Sequence, residues 1–124
     1  MLGKFCTRTI ASCLLAAAAF GIVPSANATS GTNTLQDVTI ESGTSFARIA
    51  LNGTAITGRP TCHNASYTVH YGFDISTEKG KALLSLATAA MLSGKRVAAN
   101  GTGACTNLGS VTIETLGSLI FFNN

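Results

Sequence analysis

Alternating apolar and polar positions predict a β-hairpin around residue 40. The stretch "QDVTIE" (residues 36–41) places its apolar side chains at every second position, as in a half-buried strand. The stretch "SFARIALNG" (residues 45–53) alternates again, and "SGT" (residues 42–44) between them has the composition of a turn. Ala47, Ile49 and Leu51 lie on one face of the second strand, and Phe46, Arg48 and Ala50 lie on the other.

A third strand is predicted at "YTVHYGFDI" (residues 67–75), which has the strongest alternation in the chain. Tyr67, Tyr71 and Phe73 share one face of this strand, and His70 lies on the polar face. Because aromatic residues pack well on a half-buried pleated surface, the aromatic face is expected to contact the core.

Two further strands are predicted in the last third of the chain. "RVAAN" (residues 96–100) indicates a short fourth strand, and residues 111–122 indicate a fifth strand that is broken at Gly117. The polar segment at residues 29–34 and the glycine-rich segment at residues 101–110 are expected to be loops.

The stretch "STEKGKALLSLATAAMLSGK" (residues 76–95) predicts the helix of the fold. Ser76 is a favourable N-cap residue, and Gly94 stands where a helix commonly ends in the left-handed conformation. Apolar residues recur at helical spacing and define the face expected to pack on the sheet: Leu83, Leu86, Ala87 and Ala90.

The opposite face of this helix is neither strongly charged nor strongly apolar. Such a face does not suit a helix that lies on a membrane, which requires a charged side opposite bulky apolar residues. The composition instead suits partial cover by neighbouring subunits, so this face is a candidate oligomer contact: Lys81, Ser85, Thr88 and Leu92.

The order of the predicted elements is three strands, a helix and two strands. In a chain of this length the order is typical of a five-stranded OB-like barrel with its helix between strands three and four. The predicted fold class is therefore all-β, a β-β-β-α-β-β barrel with one helix, in a single domain at residues 29–124.

The first 28 residues have the features of a secretory signal peptide. Lys4 and Arg8 precede a short apolar run, and "ANA" at residues 26–28 fits an A-x-A cleavage site. The run is short for a membrane span, so an N-terminal anchor is the less favoured alternative. Cleavage after Ala28 would place the protein in the periplasm or outside the cell, with no membrane span in the mature chain.

Two cysteines remain after the predicted cleavage, Cys62 and Cys105. In an exported protein two cysteines favour one disulfide, which closes a loop of about forty residues and contributes roughly 3–4 kcal/mol. A zinc site that adds His63 and His70 is the alternative, but the paired ligand spacings usual for zinc are missing.

Removal of the signal peptide changes the charge of the chain. The formal charge of +3 falls to +1 when Lys4 and Arg8 leave. Nucleic-acid binding depends on clustered Lys and Arg side chains, so a nearly neutral domain with few charges is not expected to bind nucleic acid.

The sequence contains no convincing catalytic motif. Ser76 and Lys79 match S-x-x-K, but the K-T-G and S-D-N elements that accompany that motif in penicillin-interacting enzymes are missing. His70 and Asp74 could join a serine in a triad, yet no G-x-S-x-G is present. We therefore expect a protein that is not an enzyme and that has no cofactor or bound metal.

One string in the second half of the chain carries a family resemblance. It combines an aromatic strand, D-x-S-T, a G-K-A-x-L helix, S-G-K-x-V, G-T-G-x-C and a final strand with E-T. The string resembles small secreted bacterial proteins similar to the B subunit of subtilase cytotoxin, a cell-binding subunit of AB toxins. The matching residues are Phe73, Asp74, Thr77, Gly80, Lys81, Ala82, Ser93, Gly94, Lys95, Val97, Gly101, Thr102, Gly103, Cys105, Glu114 and Thr115.

The resemblance implies an OB-fold, a ring of five identical subunits and binding of sialylated glycans on the outer face. The corresponding sugar pocket would lie just after the first hairpin turn, where Ser45, Phe46 and Arg48 could supply a hydroxyl, a stacking face and a cation. The expected function is an exported binding module for glycans. The alternative is a periplasmic accessory or inhibitor domain whose partner is another protein.

Overall fold

A computed structural model describes residues 27–123 of the chain. The predicted signal peptide lies outside the described residues except for its last two, Asn27 and Ala28. The described part of the chain is mostly β-structure. Its elements are β1 (Ser30–Asn33), β2 (Leu35–Ile40), β3 (Phe46–Leu51), β4 (His70–Asp74), α1 (Glu78–Ser93), β5 (Val97–Asn107) and β6 (Thr112–Phe121).

The strands form one open six-stranded sheet in the order β1-β5-β6-β4-β3-β2. The predicted five-stranded closed barrel is therefore wrong in strand number and in closure. The additional strand is β1, in the segment predicted to be a loop. Its sequence SGTN has no apolar residue and hence no periodic signal, and backbone pairing with β5 holds it, from Ser30 opposite Asn100 to Asn33 opposite Val97.

The two edge strands of this sheet are consecutive in the chain. Only Thr34 separates β1 from β2, and the Thr34 carbonyl accepts a hydrogen bond from the Asn52 N–H at 2.9 Å. β1 pairs with β5, whereas β2 pairs with β3. The chain thus turns from one edge of the sheet to the other within a single residue.

β5 is longer than the predicted fourth strand, and β6 is continuous where a break is predicted. β5 continues through the glycine-rich segment, and its register with β6 shifts at Gly101 and again before Cys105. β6 runs without a break through Gly117. Register shifts let one strand accommodate extra residues while pairing continues on both sides, which explains why turn-forming residues here do not end the strand.

Helix α1 packs its predicted face onto the sheet. Leu83, Ala87 and Ala90 are buried, and Leu86 is partly buried against the same cluster, which confirms the predicted face. The sheet side of this main core consists of Leu35, Ala47, Ile49, Leu51, Tyr71, Phe73, Val97, Ala99, Leu116 and Leu119.

The N-cap of α1 is Thr77, not the predicted Ser76. The Thr77 hydroxyl accepts a hydrogen bond from the Gly80 N–H at 3.0 Å and donates one to the Asp74 carbonyl at 2.9 Å. Gly94 ends the helix with φ of 64°, as predicted for a glycine at that position.

A second, smaller cluster covers the other side of the sheet. Its buried members are Leu108, Val111 and Ile113, against which Phe46 and Tyr67 pack. The long segment between β3 and β4 contributes Tyr67 to this cluster and Ile56 to the main core. The Cys62–Cys105 disulfide ties the segment to β5, with the two Cα atoms 6.1 Å apart, which confirms the predicted pairing.

Candidate functional site

The three residues predicted for a sugar pocket do not converge on one point. Ser45 is exposed in the hairpin turn, and its carbonyl accepts the Ile75 N–H at 2.8 Å. The Phe46 ring packs on the second core cluster and is half-buried. Arg48, two residues further along β3, directs its guanidinium at Glu41, whereas the Ser45 hydroxyl lies beside the Asp74 carboxylate.

Arg48 belongs to a group of four side chains on the outer side of β2, β3 and β4. Its Nη1 atom lies 3.2 Å from Glu41 Oε1, and its guanidinium carbon lies 5.5 Å from the centre of the Tyr67 ring. The Tyr67 ring meets the His70 ring edge-on, with centroids 5.1 Å apart. Glu41, Arg48, Tyr67 and His70 are called the Arg48 cluster below.

The Arg48 cluster contains polar atoms that the protein does not satisfy. Arg48 Nε and His70 Nδ1 are buried without a hydrogen-bond partner, and Glu41 Oε1 has only the ion pair with Arg48. Buried polar atoms are usually paired because an unpaired one costs free energy. Two such atoms beside one ion pair in a half-exposed cluster indicate a place where a polar ligand could complete the bonding.

The charge of this surface is set by two carboxylates, Glu41 in the cluster and Asp37 beside it. Burial lowers the pKa of His70 more than the nearby Asp37 carboxylate raises it, so the imidazole is neutral at pH 7. Asp37 and Glu41 then face one cation, Arg48. The surface is slightly acidic, and its unpaired atoms include both a donor and sites that accept hydrogen bonds.

Tyr67 is the member of this cluster whose position strand alternation predicts wrongly. Strand alternation predicts Tyr67 on the same face as Tyr71 and Phe73. In the structure β4 begins only at His70, and a turn closed by the His70 N–H on the Tyr67 carbonyl at 3.1 Å precedes it. The turn brings the Tyr67 ring to the polar side, where alternation already places Arg48 and His70.

All four residues of the predicted oligomer face, Lys81, Ser85, Thr88 and Leu92, are exposed. Two of them are engaged locally: Lys81 Nζ contacts the Glu78 carboxylate at 2.8 Å, and the Thr88 hydroxyl donates to the Leu84 carbonyl at 2.8 Å. Leu92 has no such engagement and is 84% exposed.

An apolar groove runs between α1 and β2 beside this face. It has a volume of about 310 Å³ and is lined by Val38, Ile40, Leu84, Thr88, Met91 and Leu92. Ile40, Met91 and Leu92 are among the most exposed large apolar side chains of residues 27–123. Within this range, the structure contains no helix with the length and apolar character needed to cross a membrane.

Glu114 is the centre of a buried polar network between β1, β5 and β6. Its side chain is 0% exposed and accepts hydrogen bonds on both oxygens. Oε1 accepts from the Thr29 N–H at 3.0 Å and from the Gly103 N–H at 3.1 Å. Oε2 accepts from the Thr29 hydroxyl and from Arg59 Nη1, the latter at 3.0 Å.

Two aromatic rings and the Arg59 guanidinium complete this network. The Arg59 guanidinium lies 4.1 Å from the centre of the Tyr71 ring, and the Tyr71 hydroxyl lies 3.1 Å from the Thr29 hydroxyl. His63 Nδ1 accepts the Glu114 N–H at 2.9 Å. Burial raises the pKa of Glu114, but the hydrogen bonds from Thr29, Gly103 and Arg59 outweigh it and lower the pKa overall.

The zinc alternative is excluded for the two cysteines, because they are joined in the disulfide. His63 Nδ1 accepts the Glu114 N–H and its Nε2 lies 3.0 Å from the Tyr67 carbonyl oxygen, whereas the His70 ring meets the Tyr67 ring edge-on. Among the residues that the structure describes, no three His, Cys, Asp or Glu side chains are grouped as metal ligands.

The fold and these clusters were compared with known proteins in three ways. No protein-family model, no curated protein and no solved structure matches this chain.

Proposed function

We propose that this chain is an exported, non-enzymatic binding module that takes a glycan on the Arg48 cluster. The observation that carries the proposal is the pair of unpartnered buried atoms on Arg48 and His70, beside the Arg48–Glu41 ion pair and the half-buried Tyr67 ring. Sugar hydroxyls both donate and accept hydrogen bonds, and the C–H face of a sugar ring packs on an aromatic side chain. A polyhydroxylated ligand therefore fits this cluster.

The charges of the cluster favour a neutral glycan. A sialylated glycan, which the family resemblance implies, would bring a carboxylate near Asp37 and Glu41. Arg48 would be its only cationic partner in the cluster, and Glu41 already lies 3.2 Å from it. Like charges brought together at a partly desolvated site are unfavourable, so we expect neutral glycans to bind more tightly than sialylated ones.

The OB-like architecture is part of the same proposal. When β1 and β2 are counted as one strand bent at Thr34, the chain has three strands, a helix and two strands. This bent strand then borders both β5 and β3. We infer that the open sheet is an OB-type sheet whose two edge strands, β1 and β2, meet at Thr34 without closing the sheet into a complete barrel.

We further propose that the subunits associate through the groove of Ile40, Met91 and Leu92. Packing of this groove against the same groove or helix of another copy would remove exposed apolar surface from water. The family resemblance implies five copies. The same groove supports the alternative function, in which one other periplasmic protein docks there and no sugar is bound.

A glycan array with the purified mature protein tests the binding function. We expect signals for neutral glycans, reduced at least tenfold by Arg48→Met, which keeps the apolar stem but removes the guanidinium. Arg96→Met is the matched control. Arg96 is exposed just after the C-terminal end of α1 and does not belong to the Arg48 cluster, so this substitution should leave binding unchanged.

A blank array with the wild-type protein would overturn glycan binding. Recovery of one protein partner in a pull-down, lost on Leu92→Glu and kept on Arg48→Met, would support the alternative function instead. Signals that Arg48→Met leaves intact would mean that the ligand binds elsewhere.

A further inference from the structure

The chain becomes buried at the residue that follows the predicted cleavage bond. Asn27 and Ala28 are exposed, whereas Thr29 is 7% exposed. The Thr29 carbonyl accepts the Gly101 N–H at 2.7 Å, so both sides of this residue are engaged. The bond between Ala28 and Thr29 therefore lies at the boundary between exposed and buried chain.

The nitrogen of Thr29 lies against a carboxylate that has no access to solvent. It is 3.0 Å from Glu114 Oε1, and Glu114 is 0% exposed. In an uncleaved chain this nitrogen is a neutral amide with one hydrogen. After cleavage it is an α-ammonium group with three hydrogens and a positive charge, and hydrogen bonds between charged groups are about twice as strong as neutral ones.

The surroundings of Glu114 can accept this added charge. Arg59 binds Oε2, and the ammonium would share Oε1 with the Gly103 N–H. The other polar groups facing the site are Tyr71, whose hydroxyl contacts the Thr29 hydroxyl, and His63, which accepts the Glu114 N–H. Cleavage replaces the bond from the Thr29 nitrogen to Ala28 by N–H bonds. Because Ala28 is exposed, these hydrogens would point toward water, and the ammonium would keep part of its hydration.

We propose that the Glu114 site is the receptor for the chain's own processed N-terminus. A signal peptidase and one water molecule would break the amide bond after Ala28. The leader would leave with the new carboxylate on Ala28, and the Thr29 amine would take up a proton and pair with Glu114. The inference rests on the proposed export, because export supplies the cleavage.

Cleavage must precede docking. Thr29 in the folded chain is held on both its N–H and its carbonyl, and a peptidase cannot bind the bond beside it in extended form. Once free, the new terminus would anchor β1 on β5. Processing would then complete the β1 edge of the sheet, which its own sequence does little to stabilise.

Two chains that differ by one residue test this inference. One starts at Thr29, and the other starts at Ala28, which keeps the charge but moves it one residue outward. We expect the folding equilibrium constant of the Ala28 chain to be about tenfold lower in urea unfolding. When Glu114→Gln is introduced into both chains, their folding equilibrium constants should differ by less than twofold.

A second measurement does not depend on the folding of a Glu114 variant. The Thr29 α-amino group should be acylated at pH 7.5 at least tenfold more slowly in the folded protein than in urea, because the ion pair holds its proton. The exposed ε-amino group of Lys79 serves as the internal reference and should react equally in both states.

Equal stability of the two chains, or equal acylation of the Thr29 amine folded and unfolded, would overturn the inference. So would an exported protein whose first residue is not Thr29. A blank glycan array would overturn glycan binding and leave this inference intact, since the chain that starts at Thr29 tests the docking by itself.

Discussion

Gly101 lies directly against the buried carboxylate of Glu114. A Cβ atom at this position would stand 2.0 Å from Glu114 Oε1, and the backbone there needs no left-handed conformation. The glycine is therefore required by space alone. Gly103 contributes to the same group through its N–H, so the G-T-G motif and the distant E-T motif are two parts of one network.

Gly101→Ala should lower the free energy of unfolding by about 2–3 kcal/mol, because Glu114 must move away from its donors while it stays buried. Urea unfolding measures the change. Gly117→Ala is the matched control in the neighbouring strand: a Cβ there would stand 3.1 Å from a methyl group of Thr102 and 3.2 Å from the Asn100 carbonyl oxygen, which a shift of a few tenths of an ångström relieves, so its cost should be smaller. Equal costs would contradict the role given to Glu114.

The two histidines make the folded protein sensitive to mild acid. Burial, followed by the charge of Arg59, lowers the pKa of His63 from 6.5, and burial lowers that of His70. A group whose pKa is lowered by folding contributes stability that is complete above its unfolded pKa. This stability is lost as the pH falls through the folded pKa.

We therefore expect the melting temperature to fall as the pH decreases from about 7.5 to 5, and to fall further in stronger acid as Glu114, whose pKa folding lowers, is protonated. His63→Gln should flatten the first decline and cost on the order of 1 kcal/mol at pH 7.5, since the Glu114 N–H loses its acceptor. His70→Gln should also flatten it, at little cost, because His70 Nδ1 has no partner. A melting temperature independent of pH in this window would refute this account.

At the scale of elements, the turn before α1 decides where the helix begins. The Ser76 N–H donates to the Asp74 carboxylate at 2.8 Å, which holds Ser76 outside the helix. Thr77 then caps the first turn through its hydroxyl. Gly80 allows this close approach, because a Cβ there would stand 1.7 Å from the Asp74 carbonyl oxygen.

Thr77→Ala should destabilise the protein by about 1 kcal/mol, the usual cost of removing an N-cap hydroxyl. Ser76→Ala, one residue earlier, should change stability by less than about 0.5 kcal/mol, as most exposed substitutions do. Thermal unfolding of the two variants side by side distinguishes the two caps. The reverse order would restore Ser76 as the cap.

Over the whole molecule, the residues of the family string mainly hold the fold together. Gly80 fits the start of the helix, Gly101 and Gly103 surround Glu114, and Cys105 forms the disulfide. The Arg48 cluster lies on other residues. The residues that carry the resemblance therefore have structural roles, and a ligand on the Arg48 cluster would contact side chains outside the string.

The groove beside α1 carries the prediction for assembly. Leu92→Glu should shift the protein to monomers in sedimentation velocity, because a carboxylate cannot be buried against an apolar partner surface without a large cost. Ile120→Glu is the control, since Ile120 is an exposed apolar residue of β6 that does not line the groove. A wild-type protein that stays monomeric at high concentration would contradict assembly through this groove.

Features that depend on neighbours in sequence could be predicted from the sequence alone. Strand alternation separated the two faces of β3, helical spacing gave the buried face of α1, and Gly94 marked the end of the helix. The pairing of Cys62 with Cys105 followed from there being two cysteines after the predicted cleavage site. Each of these conclusions uses a local period, a local backbone preference or a count.

Only the tertiary structure decided the features that join distant parts of the chain. Thr29 and Glu114 are 85 residues apart, and Arg59 and Glu114 are 55 apart, so no local pattern relates them. The strand β1 exists because β5 offers it backbone partners, and Tyr67 reaches Arg48 because a turn redirects it. Periodicity records which side of an element is buried, whereas the identity of the partner depends on how the elements pack.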